Sequence, residues 1–171
     1  MRHIRLSEKI LLLGYGMILI FMLVQDWVPL GKLNDIEAIK QENTTGELVV
    51  VTLIGVVQVV LFIFLILLFV GKKYPIFIKL WLVIHPSCIL AGAIIDWWLP
   101  YLTGFGAENR IERYHTMFGE THAFLPIMNG IVPNTLHTLF HMTLLFCIIL
   151  SIYIFVTEKR TRIINTQEKV S

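Results

Sequence analysis

The sequence predicts an all-α integral membrane protein with four transmembrane helices, forming one domain over residues 1–171. Hydrophobic residues make up 56 % of the chain and charged residues 15 %, against about 25 % charged in soluble globular proteins. The mean hydropathy is +0.75, and a soluble fold of this size would leave roughly 30 % of its unfolded surface in water. The net charge of +2 is too small to indicate nucleic-acid binding, and Cys88 and Cys147 lie in apolar runs, as packing residues would.

Four apolar stretches are long enough to cross a bilayer. A hydrocarbon core about 30 Å thick needs roughly 20 apolar residues, since an α-helix rises about 1.5 Å per residue. The first stretch extends past Asp26 to Pro29, and solvent is expected to reach that carboxyl group. The fourth is expected to begin at Asn134, whose side chain can accept a bond from an unpaired backbone N–H. The predicted spans cover about 10–28, 48–70, 76–99 and 134–156.

The basic residues predict that both termini are cytoplasmic. Lys and Arg resist translocation, and ten of the 14 lie in the two chain ends and the 71–79 connection. The two longer loops are therefore expected to face outward from a cell membrane that the chain crosses several times, and the composition suggests a bacterial plasma membrane. Those loops hold the other four basic residues, which are Lys32, Lys40, Arg110 and Arg113.

The connection between the third and fourth spans predicts a short helix and then a re-entrant or interfacial segment. Residues 108–113 alternate acids and bases, as is typical of an amphipathic interfacial helix, which is expected to end near Gly119. Pro126 and Pro133 then interrupt an uncharged stretch. Irregular backbone at membrane depth is tolerated only where it is buried in protein or lines a cavity.

A histidine pair on the fourth span is the main candidate for chemistry. His137 and His141 are four residues apart, so their side chains lie about 40° apart around the helix and point the same way. Asp96 is expected at a comparable depth on the third span, and an ionisable group at a span centre costs roughly 2.5 to 3.5 kcal/mol. Such a pair can bind a divalent metal, with zinc as the expected ion, and a carboxylate can complete the site.

The connecting loop supplies the other site residues. His122 and His115 are predicted as further metal ligands, and Glu120 or Asp96 as the general base for a metal-bound water. This hypothesis makes the protein a metal-dependent hydrolase or transferase for a lipid-type substrate at the outer leaflet. The residue types resemble those of intramembrane hydrolases of the ceramidase and adiponectin-receptor kind, which use a Ser, an Asp and an HxxxH pair. Those proteins have seven spans, and their serine-to-histidine spacing is absent here.

Two other classes of function fit the same residues. The cluster could bind a metal ion or haem for transport, sensing or electron transfer, with His85 or His122 facing His137 or His141 as axial ligands. Four spans are few for a transporter, so this class favours a homo-oligomer. In the third class the protein is a non-catalytic accessory membrane subunit, and its histidines only hydrogen-bond and pack between helices.

A second feature of the third span is a stripe that His85 and Asp96 are predicted to share. They are eleven residues apart, which leaves about 20° between them around the helix. Gly92 lies on this stripe and Cys88 beside it, and small residues permit close helix approach. We therefore expect the stripe to point into the bundle, with His85 hydrogen-bonded to Gln58 or to a backbone group.

Overall fold

A computed structural model describes residues 4–167, with side chains described as far as residue 157. These residues form helices and connecting loops, and the only β-structure among them is an isolated bridge between Met128 and Ile131. A π-helical turn, Ile94–Trp98, joins the fourth helix to the fifth without a break. The helices are α1 Leu6–Val24, α2 Ile36–Glu42, α3 Thr45–Phe69, α4 Ile76–Ala93, α5 Leu99–Thr103, α6 Ile111–Phe118 and α7 Thr135–Gln167.

Four of the described helical stretches are long and apolar enough to cross a membrane, which confirms the predicted number of spans. They are Leu6–Val24, Thr45–Phe69, Ile76–Thr103 and Thr135–Thr157. The prediction that Asn134 caps the fourth span is also confirmed, because its Oδ1 accepts the backbone N–H of His137 at 2.9 Å.

The first span ends at Val24 rather than near residue 28. The side chain of Asn34 folds back onto this end and donates to the carbonyls of Gln25 and Val28, at 2.7 and 2.9 Å. Those carbonyls would otherwise be left unpaired where the helix stops. Asp26 therefore lies in a folded turn, and it is 9 % exposed, so the expectation that solvent reaches it freely is wrong.

The helix α1 packs against both α3 and α7, and α7 also packs against α4. Their shared core includes Tyr15, Phe62 and Leu82, all nearly or fully buried. A Cβ placed on Gly14 would lie 2.6 Å from Cys147 Sγ, so the absence of a side chain at this glycine permits the close approach of α1 and α7. Cys147 is fully buried at this contact, as predicted for a packing residue.

The predicted inward stripe on the third span is wrong. Cys88 is exposed, a Cβ on Gly92 would meet nothing within 4 Å, and the inward contacts of α4 come from Leu82 and its neighbours instead. Lipid tails are as apolar as a protein core, so hydrophobicity does not show which face of a span is buried, and small residues permit a close helix contact without requiring one. His85 is half-buried and packs its ring against Phe62 and Trp81, with centroids 5.3 and 4.8 Å away.

One end of the bundle carries α2, α6 and the segment 119–134, and we call it the loop end. The helix α6 ends at Gly119, as predicted, and packs against α2. The segment 119–134 has no helix and is held by its neighbours, since the His122 N–H donates to the Lys32 carbonyl at 2.6 Å. The Tyr101 hydroxyl donates to the Pro126 carbonyl at 3.0 Å.

The opposite end is joined by an ion pair between a buried carboxylate and a partly exposed guanidinium, which no sequence pattern indicates. Glu8 is 1 % exposed and pairs with the Arg5 guanidinium at 3.4 Å. The same carboxylate accepts the Gly71 N–H from the α3–α4 turn, and Arg5 Nη1 donates to the Ile154 carbonyl of α7. One pair of charges therefore connects the start of α1 with α7 and with the turn between α3 and α4.

Candidate functional site at the loop end

The π-helical turn Ile94–Trp98 directs three consecutive side chains towards α6 and α7. Asp96 reaches α6, Trp97 is buried beneath α6, and Trp98 reaches α7. A π-turn places one extra residue in a helix and frequently occurs at functional sites. We call the set that meets here the loop-end cluster: Asp96, Trp97, Trp98, Tyr114, His137 and His141.

Both oxygens of the Asp96 carboxylate bind groups presented by the connecting loop. Oδ1 accepts from Arg110 Nε at 3.1 Å, and Oδ2 accepts from the Tyr114 hydroxyl at 2.7 Å. Burial raises the pKa of Tyr114 above its ordinary value, and the hydrogen bond to Asp96 raises it further. Tyr114 therefore remains a protonated donor, and Asp96 serves as an anchor for α6.

Trp97 lies between two rings and connects α6 with α7. Its indole stacks on Tyr114 with centroids 4.5 Å apart and on His137 with centroids 4.6 Å apart. Phe118 and Phe21 contact the same imidazole edge-on, at 5.0 and 5.7 Å. His137 is thus enclosed mainly by aromatic rings from α1, α6 and the π-turn.

Hydrogen bonds assign opposite tautomers to the two imidazoles. Asn134 Oδ1 accepts the backbone N–H of His137, and the same oxygen lies 2.9 Å from His137 Nδ1, which must then donate. In the neutral ring the lone pair is consequently on Nε2. The indole N–H of Trp98 can only donate, and it binds His141 Nδ1 at 3.1 Å, so His141 is neutral and carries its proton on Nε2.

These hydrogen bonds determine which lone pairs are free for the predicted metal site. A metal ligand nitrogen needs a free lone pair, but that of His141 already accepts the Trp98 indole, and Asp96 is held by Arg110 and Tyr114. Among the described residues, no group of three His, Cys, Asp or Glu side chains could hold one ion. The two rings therefore differ at Nε2, which is an acceptor in His137 and a donor in His141.

The other predicted site residues lie away from this pair. His122 is exposed, and its Nδ1 is 2.7 Å from the Thr135 hydroxyl, which links segment 119–134 to the start of α7. His115 is exposed on α6, and Glu120 is exposed beside the first loop. Within the described part of the chain, none of these three contacts the ring of His137 or His141.

Trp98 and Tyr114 were missed by the sequence analysis as site residues. Tryptophans near the end of a span, such as Trp97 and Trp98, are typical of an interfacial aromatic belt, and this pattern does not distinguish a lipid contact from a contact with another helix. The available signal was an ionisable residue, Asp96, directly before two tryptophans inside a span. Such a residue needs polar partners, and here Arg110 and Tyr114 supply them.

Asp26 forms a second polar feature at the end of α1. Its carboxyl group accepts from Gln25 Nε2 at 3.3 Å, and burial raises its pKa above the ordinary value. The Gln25 Oε1 atom is buried and has no hydrogen-bond partner among the described residues.

No protein-family model, curated protein or solved structure matches this chain.

Proposed function

We propose that this chain is a non-catalytic accessory protein of the cell membrane, whose loop-end cluster holds α6 and segment 119–134 against the spans. The observation that carries the proposal is that Asp96 and the two histidines of the pair bind other groups of the protein. Both Asp96 oxygens, and the Nδ1 atoms of His137 and His141, are hydrogen-bonded to other protein groups.

The loop end needs such a device for a physical reason. The helix α6 has only 8 residues, and isolated helices shorter than about 12 to 15 residues are marginal in water. Hydrogen bonds between membrane helices contribute roughly 0.6 kcal/mol each on average, so one bond would not order the segment. The stacked rings of Tyr114, Trp97 and His137 add apolar contact to the polar bonds of Asp96 and Trp98.

The proposal includes an orientation. Both termini are assigned to the cytoplasm and the loop end to the outside of a bacterial plasma membrane, with segment 119–134 as an interfacial or re-entrant segment. The distribution of Lys and Arg supports this assignment. Two of the basic residues used for it, Arg2 and Lys169, lie outside the described residues.

The test removes both imidazoles and follows the loop end. In the double variant His137→Ala, His141→Ala, we expect the protein to remain inserted in the membrane while amide hydrogen exchange over residues 104–134 becomes faster. The matched control is His115→Ala, which removes an exposed imidazole outside the cluster and should leave the exchange unchanged.

Metal and haem content decide between this function and its rivals. The accessory role predicts purified protein without stoichiometric metal and without a Soret band. One zinc ion per chain, lost in the double variant, would instead support a metal-dependent hydrolase or transferase for a lipid-type substrate. A Soret band lost in the same variant would support haem binding.

A further inference from the structure

A cleft of about 480 Å³ lies at the loop end, away from the histidine pair. The first loop forms most of its lining, and Glu120 joins from the segment after α6. The hydrogen bond from the His122 N–H to the Lys32 carbonyl brings these two parts of the chain together. The volume is within the range of roughly 300 to 1,000 Å³ that is usual for small-molecule sites.

Most polar groups of the cleft already have partners. The Lys40 ammonium pairs with Glu37 at 3.1 Å. Asp35 caps α2 by accepting the Ala38 N–H at 3.0 Å. Asn34 binds backbone groups at the end of α1, as described above. These side chains therefore already have partners within the protein.

Two opposite charges in the same cleft have no partner among the described residues. Lys32 and Glu120 both line it, and within the described residues neither side chain forms a hydrogen bond or an ion pair, with each other or with another group. A ligand that neutralises both charges offers an anion to the ammonium group and a cation to the carboxylate, and N–H donors on that cation strengthen the second contact.

The position of the cleft indicates where such a ligand would come from. Trp27 and Pro29 follow the end of the first span and line the cleft, and the Trp27 indole donates to Thr52 in α3 at 2.9 Å. Tryptophans just beyond a span lie at the level of the lipid headgroups. A zwitterionic headgroup is therefore available at this depth.

The geometry points to a binding site for a phosphoethanolamine headgroup, with the phosphate on Lys32 and the primary ammonium on Glu120. Phosphocholine has the same net charge but a quaternary nitrogen without N–H donors. Phosphoglycerol has the phosphate and no cation. The site should therefore prefer phosphoethanolamine to both. This inference does not depend on the role assigned to the histidines.

The test titrates the purified full chain with short-chain, water-soluble lipids that differ only in headgroup. We expect ethanolamine lipid to bind most tightly. Lys32→Gln should weaken its binding about tenfold or more, because one charged hydrogen bond is lost. Glu120→Gln should remove the preference for ethanolamine over choline. The matched controls are Lys72→Gln and Glu42→Gln, exposed charges outside the cleft lining.

The source of the headgroup is distinguished by competition with free phosphoethanolamine. Equal binding of the free compound supports recognition of the headgroup alone, and tighter binding of the acylated probe supports a lipid. Equal affinity for ethanolamine and choline lipids would overturn the inference. So would unchanged ethanolamine-lipid binding in both cleft variants, and neither result would alter the exchange test of the histidines.

Discussion

The indole N–H of Trp98 donates to Nδ1 of His141 at 3.1 Å, across the interface between the π-turn and α7. Because an indole nitrogen cannot accept, this bond keeps one specific tautomer of a buried histidine. Asn134 imposes the other tautomer on His137 through its Oδ1 atom. Two histidines one helical turn apart therefore present different hydrogen-bonding groups at Nε2.

Trp98→Phe tests this relationship. The substitution removes the donor and keeps an aromatic ring, so we expect His141 to populate both tautomers and the protein to lose about 1 kcal/mol of stability. Nitrogen NMR of labelled histidine checks the tautomer. Trp81→Phe is the control, because the Trp81 indole packs on His85 without a hydrogen bond among the described residues. An unchanged His141 signal in Trp98→Phe would contradict the assignment.

Asp96→Asn should loosen α6. The change removes the charge that pairs with Arg110 and weakens the bond from Tyr114, and the expected loss is about 1 kcal/mol because the Asp96 side chain is 55 % exposed. Amide exchange in α6 measures the effect. Glu108→Gln, at an exposed site before the same helix, should show no change, and equal exchange in both variants would argue against an anchoring role.

Asp26 should make stability dependent on pH. Burial raises its pKa in the folded protein above the ordinary 3.8, so the neutral carboxyl group is the form that the fold favours. The stability that this carboxyl group contributes is fully present below pH 3.8, the ordinary pKa. It is lost as the pH rises through the raised pKa of the folded protein. Asp26→Asn should therefore stabilise the protein at neutral pH, and the gain should vanish under acid conditions.

Thermal unfolding in detergent over a pH series measures this difference. Glu42→Gln is the matched control, since it removes one exposed carboxylate from the same end of the molecule. A stability gain in Asp26→Asn that did not change with pH would show that ionisation of this carboxyl group is not the cause.

Gly14→Ala should weaken the contact of α1 with α7. The new Cβ would lie 2.6 Å from Cys147 Sγ, and overpacking of this kind costs about 1 to 3 kcal/mol. Adding Cys147→Ala should recover part of the loss, because it removes the clashing sulfur. Gly16→Ala is the control, with nothing within 4 Å of the added atom. Unfolding in detergent measures the stability of these three variants and of the unchanged protein.

The orientation is tested by single cysteines in a chain whose Cys88 and Cys147 are replaced by alanine. Glu42→Cys at the loop end should react with an impermeant thiol reagent on intact cells. Lys73→Cys in the α3–α4 turn should react only after permeabilisation. Both positions are exposed, and the reverse pattern would place the loop end in the cytoplasm.

Local sequence signals were sufficient for several features of the fold. The number of spans, the cap at Asn134 and the end of α6 at Gly119 follow from uninterrupted apolar length, a short polar side chain and a glycine. Each depends on residues close together in the chain. The predicted end of α1 near residue 28 is wrong because apolar length does not show a contact with a distant residue. Asn34, in the next loop, binds the carbonyls of Gln25 and Val28 beyond the end of the helix.

Apolar length and composition are local quantities, so the sequence was sufficient to predict a four-span helical protein with histidines and a carboxylate near one end of its last two spans. What those residues contact depends on how segments far apart in the chain pack against each other. The π-turn sends Asp96 to Arg110 and Tyr114 and sends Trp98 to His141. Side-chain direction near a helical irregularity depends on packing between distant segments, and hydropathy carries no information about it.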